Sequence, residues 1–135
     1  MMLNDRILVI LGSLFMFLGV GAGAFGAHAL DDYFQTHVEL LGTYDTAVRY
    51  QMIHSLGLFV AAWVFSRWQK PWASWAGILF LAGILLFSGS LYLLVFTRIA
   101  LFGAITPLGG VAFLGGWLCL ALAVWRSNRF DNRNS

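Results

Sequence analysis

Four apolar stretches, residues 7–30, 47–66, 74–97 and about 106–125, are each long enough to cross a bilayer and occupy most of this 135-residue chain. A hydrocarbon core about 30 Å thick takes about 20 apolar residues in helix. With 60 % of residues hydrophobic, 10 % charged and a mean hydropathy of +0.79, the chain has too little polar surface to wrap a water-soluble core. Backbone polar groups in lipid must be satisfied within each segment, which selects helices; a β-barrel would need alternating apolar and polar residues, and these are absent. The expected fold is an all-α integral membrane protein. It is a single domain over residues 1–135, with four transmembrane helices in one bundle and a short amphipathic surface helix between helices one and two.

The net charge of +2 does not point to nucleic acid, because the eight basic residues are scattered at helix ends and form no patch. They read instead as topology signals. Arg6, Arg67, Lys70, Arg126, Arg129 and Arg133 fall on one side of the expected membrane, the last three in a basic tail over 126–135. Only Arg49 and Arg98 fall on the other. This imbalance places both termini in the cytoplasm. The clustering of Trp68, Trp72, Trp75 and Trp125 at that boundary, and of all four tyrosines towards the other, agrees with it. Arg6, the following apolar run and Ala27-His28-Ala29 mimic a signal peptide, but the run exceeds the usual signal core of about 7–15 residues. A retained first helix is expected. The single cysteine, Cys119, lies within the fourth stretch and reads as a small packing residue.

Small residues recur one turn apart. Gly19, Gly23 and Gly26 in helix one, and Gly109, Ala112 and Gly116 in helix four, draw faces along which another helix can approach closely. In the connection 31–41, Tyr33, Phe34, His37, Val38 and Leu41 share one helical face, with Asp31 as a candidate N-cap and Gly42 as a candidate stop. This is the expected surface helix, on which His37 is read as inert. Helix two then begins near Thr43 or Tyr44. Thr106-Pro107 suits a helix start, threonine as cap and proline at the first helical position; the alternative is a start near Ala100 with a kink at Pro107.

The polar residues of the spans form the candidate site: His28, Arg49, Tyr50, Gln51, His54, Ser88, Ser90 and Tyr92. Ionisable side chains inside spans are costly, and so mark functional candidates. Asp45 and Arg49 are spaced for a helical ion pair, with Arg49 snorkelling to the surface, and His28 suits a helix C-terminus. His54, placed about three turns after Thr43, is read as an interhelical hydrogen-bonding residue with Tyr92, Ser90 or Gln51. Its functional readings are a metal or haem ligand, a proton relay, or a contact to a lipid headgroup or quinone. No recognised catalytic or metal-binding motif occurs, whether H-E-x-x-H, G-x-S-x-G, a phosphate loop or C-x-x-C. No catalytic residues, metal or cofactor are therefore assigned.

Four blocks carry a resemblance over nearly the whole chain: Gly23-Ala24-Phe25-Gly26-Ala27-His28-Ala29-Leu30, Arg49-Tyr50-Gln51-Met52-Ile53-His54-Ser55-Leu56, Phe87-Ser88-Gly89-Ser90-Leu91-Tyr92 and Thr106-Pro107-Leu108-Gly109-Gly110, followed by Gly116-Trp117. In this order they resemble the YgdD/YwdK-type small inner-membrane proteins (domain of unknown function 423). The resemblance implies a bacterial plasma-membrane protein with four helices and brings no catalytic set. The expectation is a non-enzymatic protein that packs in the bilayer with itself or in a larger membrane complex. A binder or transporter of a small amphiphile or ion, through an outer-leaflet polar pocket, is the second reading. A haem, metal or redox protein using His28 and His54 is the third.

Overall fold

Asn4 starts the first helix. In the computed structural model of the protein, which describes residues 3–68 and 71–131 and side chains as far as Arg126, the Asn4 Oδ1 accepts from the Ile7 amide at 2.9 Å. That satisfies one of the donors every helix start leaves open. Helix α1 runs Asp5–His28, followed by α2 (Asp31–Thr36), α3 (Val38–Trp68), α4 (Pro71–Gly83), a π-helical stretch (Ile84–Ser88), α5 (Gly89–Thr97) and α6 (Leu101–Asp131). The described chain is all-α.

Among the described residues, three helical stretches are long and apolar enough to cross a membrane: Asp5–His28, Pro71–Thr97 and Leu101–Arg126. Helix α3 has 31 residues but is less apolar. Its position explains why. It is the central helix, packed against α1, α4, the π-helical stretch, α5 and α6, and Gln51, His54 and Ser55 are buried. A helix shielded by its neighbours can carry polar groups that a lipid-facing one could not.

Glycines set the spacing between rods. A Cβ on Gly12 would meet the Ser55 carbonyl oxygen at 3.2 Å, and one on Gly19 would meet Met52 at 2.9 Å; at Gly26 it would run into the Tyr44 ring. Thus α1 lies antiparallel and close along α3. The Phe80 side chain, fully buried, fits between Gly57 of α3 and Gly116 of α6, and Gly109 presses on the backbone of Phe87. Most of the small-residue faces read from the sequence are therefore filled by side chains of the same chain. A Cβ on Gly23 would make ordinary contact with Val48 at 3.5 Å, and Ala112 is only half-buried.

The bundle runs up, down, up and down. At one end the Leu3 amide donates to Ser74 Oγ at 2.7 Å and Arg126 stacks over Trp72 at 5.2 Å. Arg6 and Arg67 stand at this end too, by their places at the start of α1 and the end of α3. Lys70 and Arg133 lie outside the described residues, and of Arg129 only the backbone is described.

Several local expectations are corrected. The surface helix does not run 31–41: it ends at Thr36, and His37 breaks the path with φ −127° and ψ 59°. Residues 38–43 are instead the first turns of α3. Asp31 is not the N-cap, since Leu30 holds that position without a side-chain bond. Gly42 does not stop a helix, because no glycine takes a positive φ; a glycine stop requires that left-handed conformation. Among the described residues the left-handed one is Arg98, at φ 59° and ψ 22°, which ends α5. Helix α6 starts at Leu101 and passes through Pro107, so the start near Ala100 holds and the Thr106 cap does not.

Candidate functional site

Gln51 is the main tie across the bundle. Its amide nitrogen donates to the Phe15 carbonyl of α1 at 2.9 Å, and its Oε1 accepts from the Tyr92 hydroxyl of α5 at 3.0 Å. Only 5 % of the residue is exposed. The polar atoms of one side chain thus bind both neighbouring rods where water cannot compete. The expected meeting of Gln51 and Tyr92 is present.

His54 does not join them. It lies midway along α3 rather than near its end, because α3 begins at Val38. Its ring stacks on Phe113 with centroids 3.4 Å apart, and its Nε2 lies 3.2 Å from the Trp117 indole nitrogen. An indole can only donate, so Nε2 accepts. The proton must then sit on Nδ1, which donates to the Tyr50 carbonyl at 2.8 Å. Both ring nitrogens are committed within the protein, leaving neither for a metal or haem iron. Trp117 is the partner that sequence reasoning missed. It belongs to the Gly116-Trp117 block, but on α6 rather than on α5.

The remaining candidates separate. Ser90 shares a 2.8 Å hydroxyl–hydroxyl bond with Thr106, joining α5 to α6. Ser88 is buried, and among the described residues its Oγ is the one buried side-chain polar atom without a hydrogen bond. Tyr50 stacks on Phe87 at 4.5 Å. Arg49 and Asp45 are both exposed, and no ion pair joins them. His28 is exposed in the last turn of α1, apart from the rest.

His37, read as inert, is a second tie. Arg98 donates to its Nε2 at 3.1 Å, so Nδ1 carries the proton and donates to the Tyr33 carbonyl at 3.1 Å. Tyr33 itself donates to the Val95 carbonyl at 2.6 Å. Helix α2 is thereby fastened across the end of α5. Arg98 thus ties the end of α5 to the segment that joins α2 to α3.

Of the hollows that flank α3, two adjoin the candidate residues. One lies between α1 and α5. Its outer part, about 380 Å³, is lined by Phe17, Gly21, Phe25 and Phe96 over Tyr44 and Tyr92; its inner part, about 290 Å³, reaches Phe15, Gln51 and Leu85. Both share Leu18, Ala22 and Tyr92. Tyr44 anchors the floor by donating to the Ala22 carbonyl at 2.7 Å. The other hollow, about 470 Å³, lies between α3 and α6 and is lined by Tyr50, Ile53, His54, Phe87, Phe113 and Trp117.

Among the described residues no three His, Cys, Asp or Glu side chains could hold a metal ion together. Long apolar helices around a hydrogen-bonded α3 define a small helical membrane protein. The chain belongs to the family described as protein of unknown function (DUF423), whose model matches residues 22–110. It is similar to UPF0382 membrane proteins of Staphylococcus aureus. Those of strains USA300 and NCTC 8325 are each 45 % identical over 121 residues, covering 90 % of this chain and 97 % of the relative. The one from strain bovine RF122 is 44 % identical over the same extent. No solved structure matches the chain. It is a bacterial membrane protein with several candidate spans.

Proposed function

We propose that this is a non-enzymatic, four-span plasma-membrane protein that binds a neutral amphiphile in the cleft between α1 and α5. The observation that carries the reading is the way α1 parts from the α4–α5 rod. At one end the rods touch, Leu8 packing on Gly77. Farther along they are separated by the cleft floored by α3. Across the far end lies α2, with the Tyr33 ring 6.4 Å from Phe96. The hollow thus lies between the Leu8–Gly77 contact and α2, among apolar side chains. Its size falls in the range of small-molecule sites, about 300–1,000 Å³.

No charged side chain lines the cleft, which supports a neutral ligand. Gly21 is the test position, because a Cβ there would meet nothing within 4 Å. Gly21→Trp is expected to fill the outer part while leaving the fold intact. Purified protein incubated with monoacylglycerol, a neutral single-chain amphiphile, should retain it in native mass spectrometry, and the variant should lose most of that retention. Equal retention by both proteins would count against the cleft.

α3 completes an even number of crossings, and the six-to-two division of basic residues orients them. A reporter active only outside the cytoplasm, fused after Ser135, should therefore be silent. Strong activity would invert the orientation and move the cleft to the opposite leaflet. Self-association has less support, because Gly19, Gly26, Gly109 and Gly116 are occupied by their own chain.

A further inference from the structure

We infer that the groove between α3 and α6 is a second, independent lipid site, selective for an anionic phospholipid whose phosphate is held by Arg49. The groove's wall is aromatic and aliphatic. Tyr50, Phe87, Phe113 and Trp117 present ring surface along about 470 Å³. The two nitrogens of His54 are both bound within the protein, so the histidine offers nothing to a polar headgroup. A hydrocarbon chain suits the groove.

The charge stands at the rim. Arg49 is one turn from Ile53 and adjacent to Tyr50, both of which line the groove, and residues one turn apart share a helix flank. It is exposed, and among the described residues its side chain forms no ion pair or hydrogen bond. Asp45 is the nearest acidic residue on the same helix and does not pair with it. Along α3, Val48 lies opposite Gly23 of α1, about one turn short of the end of α1 at His28. A guanidinium at that level reaches the headgroup layer by extending its aliphatic stem, while the groove runs from Arg49 towards the middle of the bundle. The charge and the apolar channel are arranged as a phospholipid is: anion outermost, chain inward. The α1–α5 cleft, by contrast, has no charge on its lining.

The full chain in detergent, offered an equimolar mixture of phosphatidylglycerol and phosphatidylethanolamine, provides the test by native mass spectrometry. Wild-type protein should retain phosphatidylglycerol preferentially. Arg49→Gln should reduce that preference about fivefold, with unchanged thermal unfolding, and Arg49→Lys should keep most of it. Gly110→Leu should lower retention of both lipids, because Gly110 lines the groove and a Cβ there would meet only the Phe87 ring, at 3.9 Å. Inorganic phosphate should not compete. Equal retention of the two lipids by wild type, a preference unaffected by Arg49→Gln, or displacement by phosphate alone would each overturn the assignment. Gly21→Trp should not affect phosphatidylglycerol retention, so failure of the α1–α5 cleft and failure of this groove are separately visible.

Discussion

Gly109→Leu is expected to be among the most damaging single substitutions, lowering stability by at least about 3 kcal/mol, the upper part of the usual range for overpacking. A Cβ at Gly109 would strike the Phe87 amide and approach the Phe87 Cα at 2.8 Å. These are backbone atoms and cannot rotate aside, so α6 would have to lift from the rod it packs on. Membrane helices hold together chiefly through such close packing, and the effect should spread to the Ser90–Thr106 bond nearby. Thermal unfolding in mild detergent measures it. Gly110→Leu, one residue on, is the control and should melt near wild type. Leu118→Phe should also be mild, since Leu118 is 65 % exposed and faces the surroundings. Similar melting of Gly109→Leu and Gly110→Leu would remove the packing argument.

Gln51→Leu is expected to lower stability by about 2 kcal/mol. It deletes the bonds to Phe15 and Tyr92 and leaves the Tyr92 hydroxyl without its acceptor, a loss of about 1–3 kcal/mol when a buried group is orphaned. Tyr92→Phe should cost less, about 1 kcal/mol, because Gln51 keeps its bond to α1. The two changes touch the same bond and should not add. A double-mutant cycle followed by thermal unfolding should show coupling of about 0.6 to 1.7 kcal/mol, the span found for interhelical bonds in membranes. Strict additivity would mean that the 3.0 Å contact contributes nothing.

Much of this was legible in the residues. The stretches 7–30, 74–97 and 106–125 correspond to α1, the α4–α5 rod and most of α6, because length and apolarity are local properties. Gly19, Gly26, Gly109 and Gly116, which the spacing marks as small positions, each lie where a Cβ would crowd another helix. The local readings that failed did so where a signal admitted two structures. Residues 31–41 have a continuous amphipathic pattern, yet the chain breaks at His37, where the side chain bonds both Tyr33 and Arg98. Thr106-Pro107 looks like a helix start, but the helix continues through it and Thr106 bonds Ser90 across to α5. In each case a contact far away in sequence overrode a preference of about 1 kcal/mol.

The candidate site shows the same division. That Gln51, His54, Ser90 and Tyr92 must face protein followed from their polarity, since an unpaired polar group in hydrocarbon is costly. Which partner each one takes did not follow. Tyr92 and Trp117 both offer a single donor at comparable depth, and only the rotation of α5 and α6 about α3 assigns Tyr92 to Gln51 and Trp117 to His54. The residues of this chain by themselves determined which stretches are helical and where the small-residue faces lie, because those depend on neighbours within a few turns. The tertiary structure alone decided the central place of α3, the pairings across it and the hollows beside it. Those depend on where whole helices come to rest when side chains such as Phe80 fill the space above Gly57 and Gly116.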